Sequence, residues 1–255
     1  MSSEYLDVAL RAVKEAEGII LEYLDKDMHP QIKSDLSPVT IADQKAEQVI
    51  RRIISDRFPE HTFYGEEGGK TDLTNHQGYT WIIDPIDETK SYMRRNPLFA
   101  TQLALMCDGE LILGVSNAPK MGEMLYAEKG KGCYCNGEKV CVSEVGSPDD
   151  SYVSFGSLKY FERTGTQEQL LQLASHAKWA RGIGDFWSYH LLAQGKIDVM
   201  IEPVTKLWDV AALSVIVTEA GGRVSQMNGA RVSPGMTSCI ATNGLLHEEI
   251  VKVFN

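Results

Sequence analysis

No run of apolar residues in this chain approaches the ~18 that cross a bilayer as a helix, so a helical membrane protein is not expected. Basic residues are in the minority, with 25 Lys and Arg against 35 Asp and Glu, and the formal charge is −10. That argues against a binder of nucleic acid, because duplex affinity needs clustered Lys and Arg. It leaves room for a small phosphate ester, since a bound cation reverses the local field. Cysteines are few and odd in number, at five; Cys133 and Cys135 are too close for a usual disulfide framework, and no C-x-x-C occurs. A reduced, cytoplasmic protein is the expectation. The opening "MSSEYLDVAL" has no basic segment followed by an apolar core, so no signal peptide is expected. The six histidines are scattered without H-E-x-x-H, and there is no G-x-S-x-G. Zinc hydrolysis and serine hydrolysis therefore have no visible machinery. Gly182-x-Gly184 lacks a third glycine, which disfavours a dinucleotide fingerprint.

What is present is an ordinary globular composition: 255 residues, 43% hydrophobic and 24% charged, enough for one large domain or two modest ones. Leu6, Ala9, Leu10, Val13, Ala16, Ile20 and Leu24 recur at helical spacing over 4–24, with Ser2 or Ser3 as cap. A polar loop follows over 25–39, and Thr40 opens a second helix with Asp43 three residues on. "TFYG", "YTWII", "ATQLALM", "ELILGVSNA" and "EMLYAEKGKGCYC" read as strands joined by glycine turns. Segment 143–151 has Gly, Pro, Ser and acids without apolar period, and predicts a boundary between halves 1–146 and 147–255. Beyond it, "YVSF", a helix at 166–176, "KWARGIG", a helix at 186–194, "DVMIE", a helix at 208–220, "SCIAT" and a last helix from 244 alternate. The fold class expected is α/β with mixed sheets.

Three acidic stretches carry the chemistry. Asp84 and Asp87 in "WIIDPIDET" follow a buried strand, and ligands of α/β folds bind at such carboxyl ends. Pro85 stiffens the turn, so two carboxylates and the Ile86 carbonyl face one point, as hard cations require. A plain capped turn is the alternative. Glu66 and Glu67 in "GEEGG" follow an apolar strand; alone they read as a solvated turn. Asp209 opens "WDVAALSVIVTEAGG", whose helix is apolar nearly all round; as a helix cap it needs no ligand, as a metal ligand it joins the others. Asp43 closes a capping arrangement with Thr40 on the simplest reading.

Together these stretches resemble the inositol monophosphatase superfamily of Mg²⁺-dependent phosphatases: "GEE" at 65–67, "DPIDETKSY" at 84–92, "GKGCYCNG" at 130–137, "WDVAAL" at 208–213 and "EAGG" at 219–222 stand in its order. Within it, "PLFATQLAL" and "RGIGDFWSYHLLAQGKIDVMIEP" look most like the histidinol-phosphate phosphatase branch. The resemblance implies an αβαβα layered fold, a homodimer and two or three Mg²⁺ per site. It implies Glu66, Asp84, the Ile86 carbonyl, Asp87 and Asp209 as metal ligands. It further implies Glu66 and Thr89 as holders of the attacking water, with Asp43 behind Thr89, and backbone amides of Glu88 and Thr89 as the phosphate site. Asp185, Glu202 and Arg181 would face the alcohol.

The chain departs from the family at Glu88, where D-P-I-D-G-T has glycine. Glutamate adds bulk and negative charge where a dianion sits, so weakened activity is the expectation. Three readings follow: a histidinol phosphate phosphatase, a phosphatase of inositol phosphate or another small ester, and a non-catalytic metal-binding homologue.

Overall fold

The computed structural model describes residues 3–26, 31–32, 38–69, 72–73 and 77–255; Ser2 and much of the loop at 25–39 lie outside them. The helices are α1 (Glu4–Leu24), α2 (Ile41–Arg57), α3 (Thr89–Met93), α4 (Leu158–Thr164), α5 (Gln167–His176), α6 (Asp185–Ala193), α7 (Leu207–Glu219) and α8 (His247–Val253). β1 (Gln31–Ile32) and β2 (Pro38–Val39) pair antiparallel within the stretch expected to be loop. Seven strands form the larger sheet in chain order: β3 (Thr62–Gly65), β4 (Tyr79–Asp87), β5 (Ala100–Cys107), β6 (Glu110–Ala118), β7 (Glu123–Glu128), β8 (Gly132–Cys135) and β9 (Glu138–Val140). The smaller sheet has β10 (Tyr152–Phe155), β11 (Trp179–Arg181), β12 (Val199–Glu202), β13 (Arg223–Ser225) and β14 (Cys239–Thr242), in the order β11-β10-β12-β14-β13. Both sheets are mixed: β3–β4 is parallel in the first, and β10 runs parallel to β11 and β12 in the second.

Period-two alternation sorts the strands into layers. Trp81 and Ile83 pack with Ala9, Val13, Ile50 and Ile54 of α1 and α2, while Ile82 packs with α7 on the opposite face. In the second sheet Met200 joins the α6–α7 core, whereas Val199 and Ile201 join Phe161, Leu170 and Ile250 of α4, α5 and α8. The result is five layers, αβαβα. Helix α7 is the middle of that stack, so it is buried on every side, and this is why its sequence is apolar all round. Its approach to the larger sheet is close: a Cβ on Gly114 of β6 would stand 2.3 Å from the Ala212 carbonyl oxygen.

Several elements depart from the sequence expectation. Strand β4 does not stop at Ile83 but runs through Pro85 to Asp87. It pairs irregularly there: Asp84 faces Gln102 and Asp87 faces Ala100, so three steps on β4 answer two on β5. Such a bulge accommodates proline, which has no N–H to give the ladder, and Thr101 Oγ1 donates to the Pro85 carbonyl at 2.9 Å. Helices α3 and α4 have five and seven residues, too short for a periodicity signal. The last helix starts at His247, after a turn at 244–246. At the first helix, Ser3 is the cap, accepting from the Leu6 N–H at 3.2 Å.

Candidate active site

The bulge in β4 does chemical work. Residues three apart on a regular strand point to opposite faces. One extra residue restores the parity, so Asp84 and Asp87 point the same way while Ile83 and Ile86 go into the α1–α2 core. Both carboxylates open into a pocket of about 650 Å³ at the end of β4, between the two sheets. Glu66, Asp84, Ile86, Asp87, Glu88, Thr89, Asp185, Glu202 and Asp209 all line it.

Strand β4 supplies Asp84, Ile86 and Asp87, and the others arrive from elsewhere in the fold. Glu66 comes from the turn after β3, whose Glu66 N–H donates to the Ile83 carbonyl at 3.0 Å and so ties the turn to β4. Asp209 sits three residues into the start of α7 rather than at the cap itself. Its Oδ2 accepts from the Lys206 N–H at 2.8 Å and from Thr205 Oγ1 at 3.1 Å. Thr89 begins α3, and its hydroxyl lies 3.3 Å from Asp43 Oδ1 and 3.0 Å from the Ile86 carbonyl. Asp43 is fully buried behind it on α2, where Oδ2 also accepts from the Thr40 N–H at 2.8 Å, closing the capping box. Glu202 ends β12 and accepts from the Tyr189 hydroxyl at 2.8 Å. Arg181 is not brought in: it is exposed on edge strand β11 and its guanidinium stacks 5.2 Å from the Trp179 ring centre.

The resolved carboxyl shifts at the site all run upward, although Lys90 opposes that of Asp185 and Lys206 that of Asp209. Burial, then Glu66, Asp87, Asp209 and Asp43, hold the Asp84 carboxyl well above the ordinary carboxylate range. Burial, then Asp209, Asp185 and Glu88, do the same to Asp87. Burial lifts Asp43 and Asp209 to about 6, against hydrogen bonds that pull the other way. Burial, then the Glu88 charge, lifts Asp185 to about 7; burial, then Asp185, lifts Glu202 to about 8. A like-charge pair at ~4 Å costs about 4 kcal/mol at an effective dielectric of 20. A divalent cation removes that repulsion.

The donor set fits such a cation. Asp84 Oδ1 is buried without a hydrogen-bond partner, which leaves a hard oxygen aimed at nothing in the protein. Among the described residues no three Asp, Glu, His or Cys side chains stand together as a ready-made cage. Mg²⁺ does not need one: it keeps several waters and takes one or two carboxylates plus substrate phosphate.

Glu88 is the outlier of the pocket. It holds a left-handed backbone, φ 65° and ψ 51°, the conformation glycine adopts freely. Its Oε2 accepts from Ser91 Oγ at 3.3 Å. Two supporting residues had signals in the sequence. Tyr189 stands four residues after Asp185 on α6, hence on one helical face. Gln102 is a polar residue inside an otherwise apolar strand, and its Nε2 donates to Asp87 Oδ2 at 3.1 Å. Lys90, Lys159 and Lys206 also line the pocket and carried no signal.

Such a fold with such a pocket defines a metal-dependent phosphoric monoester hydrolase. The model of the inositol monophosphatase family matches residues 1–255, and the chain belongs to that family. A histidinol-phosphatase of Mycobacterium tuberculosis is 36% identical over 262 residues, spanning 100% of this chain and 99% of that protein. Inositol monophosphatase 1 of Homo sapiens is 32% identical over 261 residues, spanning 98% of this chain and 93% of that protein. Among solved structures, a Thermotoga maritima IMPase superposes with a TM-score of 0.88 at 30% identity, covering 99% of this chain and 97% of that one.

Proposed function

We propose that this protein hydrolyses histidinol phosphate to histidinol, a step of histidine biosynthesis, with two or three Mg²⁺ held by Glu66, Asp84, the Ile86 carbonyl, Asp87 and Asp209. One observation carries the substrate: carboxylates also reach the pocket from the second half of the chain, in company with Lys159 and Lys206. Asp185 and Glu202 line it, with Glu88 close enough to raise the Asp185 pKa. Histidinol carries a cationic amine, which meets those carboxylates; a neutral polyol has only hydroxyls to offer. The 36% identity to a histidinol-phosphatase over the whole chain supports the same reading.

Unaided hydrolysis of a phosphate monoester is so slow that the site must supply ~20 kcal/mol or more. Bound Mg²⁺ supplies charge that acidifies a water and stabilises the leaving alkoxide. The protein's share is positioning. The Thr89 hydroxyl donates backwards, to Asp43 Oδ1 or the Ile86 carbonyl, so its lone pairs face the pocket and accept from the attacking water. The Glu66 carboxylate accepts from the same water. N–H groups at the start of α3 have no carbonyl of their own helix and are available to the phosphate. Asp185 and Glu202 pair with the amine, the second held in place by the Tyr189 hydroxyl.

The test is phosphate release from a panel of esters at saturating Mg²⁺. Histidinol phosphate is expected to have the highest kcat/KM, above inositol 1-phosphate, and Asp185→Ser to narrow the gap. Preference for the inositol ester overturns the substrate; release from none overturns the enzyme reading. We also read the protein as a cytoplasmic homodimer; all five cysteines are free, which suits a reducing compartment.

A further inference from the structure

The turn that presents Glu66 is clasped by a residue that has no part in the reading above. Asp43, Glu47 and Arg51 follow one another at four-residue spacing on α2 and so share one face. Glu47 is 1% exposed. Its Oε2 accepts from the Glu67 N–H at 2.9 Å and its Oε1 from the Gly68 N–H at 2.9 Å. Arg51 Nε donates to the same Oε1 at 2.8 Å, and Arg51 Nη2 donates to the Gly69 carbonyl at 3.1 Å. A carboxylate thus reaches the backbone on both sides of the residue after Glu66, and its guanidinium partner closes the far end of the turn.

The sequence is cut to this fit. A Cβ on Gly65 would lie 2.0 Å from Glu47 Oε1, and a Cβ on Gly68 would lie 2.4 Å from the same oxygen and 2.7 Å from Arg51 Nε. Neither glycine has positive φ, so it is the close approach of Glu47 and Arg51 that demands them. Helix α2 therefore supports both groups proposed to hold the attacking water: Asp43 reaches Thr89, and one turn further on Glu47 reaches the loop of Glu66.

We propose that Glu47 is a positioning residue for the metal centre: its buried carboxylate, paired with Arg51, fixes the 65–69 turn so that the Glu66 carboxylate is presented to Mg²⁺ at a set place. The proposal rests on the reading of Glu66 as a ligand. Residues that orient metal ligands typically matter by 10–100-fold in metal affinity or activity.

The experiment uses the full chain and four variants: Glu47→Gln, Gly68→Ala, Glu47→Ala and the double variant Glu47→Ala/Gly68→Ala. Glu47→Gln keeps shape and removes charge; Arg51 is 24% exposed at its side chain, so its guanidinium reaches water. Gly68→Ala disturbs the clasp from the other side, at an exposed position, by pressing a methyl on the Glu47 carboxylate while leaving residue 47 itself unsubstituted. Glu47→Ala/Gly68→Ala removes the collision that the alanine creates. Mg²⁺ affinity is read by calorimetry, with the Mg²⁺ needed for half-maximal phosphate release, kcat, KM and metal-free Tm alongside. Glu47→Gln and Gly68→Ala are each expected to weaken Mg²⁺ binding about tenfold and to raise the half-maximal Mg²⁺ in parallel, with KM for the ester within about twofold. The double variant is expected to be no worse than Glu47→Ala alone. Unchanged Mg²⁺ affinity in Glu47→Gln and Gly68→Ala, with only Tm lowered, makes Glu47 merely structural and overturns the proposal alone. No binding heat from the unmutated chain overturns the metal reading and this proposal with it.

Discussion

The Thr89 hydroxyl lies 3.3 Å from Asp43 Oδ1 across 46 residues of sequence, joining the first turn of α3 to the first turn of α2. Asp43 is thus a helix cap and the backstop of a pocket residue at once: Oδ2 serves Thr40, and Oδ1 serves Thr89. A hydroxyl held from behind is oriented without help from substrate. Thr89→Ala is expected to lower kcat by ~10²–10³, the range for a lost preorganised or proton-handling group, while Thr89→Ser keeps most of the activity. Steady-state phosphate release decides it, and an alanine variant of normal kcat removes Thr89 from the mechanism.

With Mg²⁺ as the proposed cation, the acidic pocket is expected to make stability depend on pH and on Mg²⁺ together. Asp43 and Asp209 are raised from 3.8 to about 6, Asp185 from 3.8 to about 7, and Glu202 from 4.5 to about 8. A carboxyl with a raised folded-state pKa binds more protons folded than unfolded, so its effect on stability worsens as pH rises from ~4 to ~8. Mg²⁺ favours the folded, ionised form. The Tm gain from Mg²⁺ over EDTA is therefore expected to grow between pH 5 and pH 8, and Asp84→Asn to remove most of it. Thermal scans at both pH values check this; an equal gain at each contradicts it.

Glu88 leans on the alcohol side of the site. Its charge is the first neighbouring charge acting on Asp185 and also acts on Asp87, while its carboxylate is tethered to Ser91. It repels a phosphate dianion and attracts an ammonium. Glu88→Gly is expected to raise kcat/KM for inositol 1-phosphate at least about tenfold, ~1.4 kcal/mol, and for histidinol phosphate by less. It also relieves ~1–2 kcal/mol of left-handed backbone strain. An equal or slower glycine variant on the inositol ester would falsify this account of Glu88.

Gly114 fixes how closely α7, and with it Asp209, approaches the larger sheet. Gly114→Ala pushes a methyl against the Ala212 carbonyl and is expected to cost ~1–3 kcal/mol by overpacking. Denaturant unfolding measures the loss. Stability within about 0.5 kcal/mol of the parent would mean that α7 shifts freely, and that the close contact is not a constraint.

Much of the site was legible because metal chemistry constrains residue type. Each acid alone also fitted a turn or a helix cap, and it was their combination in the family's order that pointed to one site; Glu66, Asp84, Asp87 and Asp209 do share one pocket. The unbroken apolar run Trp81-Ile82-Ile83 likewise announced a strand covered on both faces. Arg181 was placed beside the alcohol by the family resemblance alone, yet strand β11 ends at it and turns its side chain onto Trp179. Nothing local encodes which side of an edge strand meets the neighbouring element.

The sequence by itself determined the acidic residues available to the pocket, the apolar stripes and the order of the elements, because these are properties of residue type and short-range spacing. Tertiary structure decided three things. Pairing with β5 makes the bulge that turns Asp84 and Asp87 to the same side, a parity the bare spacing of three would deny. Packing of α2 under the larger sheet brings Asp43 to Thr89 and Glu47 to the loop of Glu66, over separations of 46 and 20 residues. Burial between two sheets raises the carboxyl pKa values, because only the assembled layers remove the water that would otherwise solvate each charge.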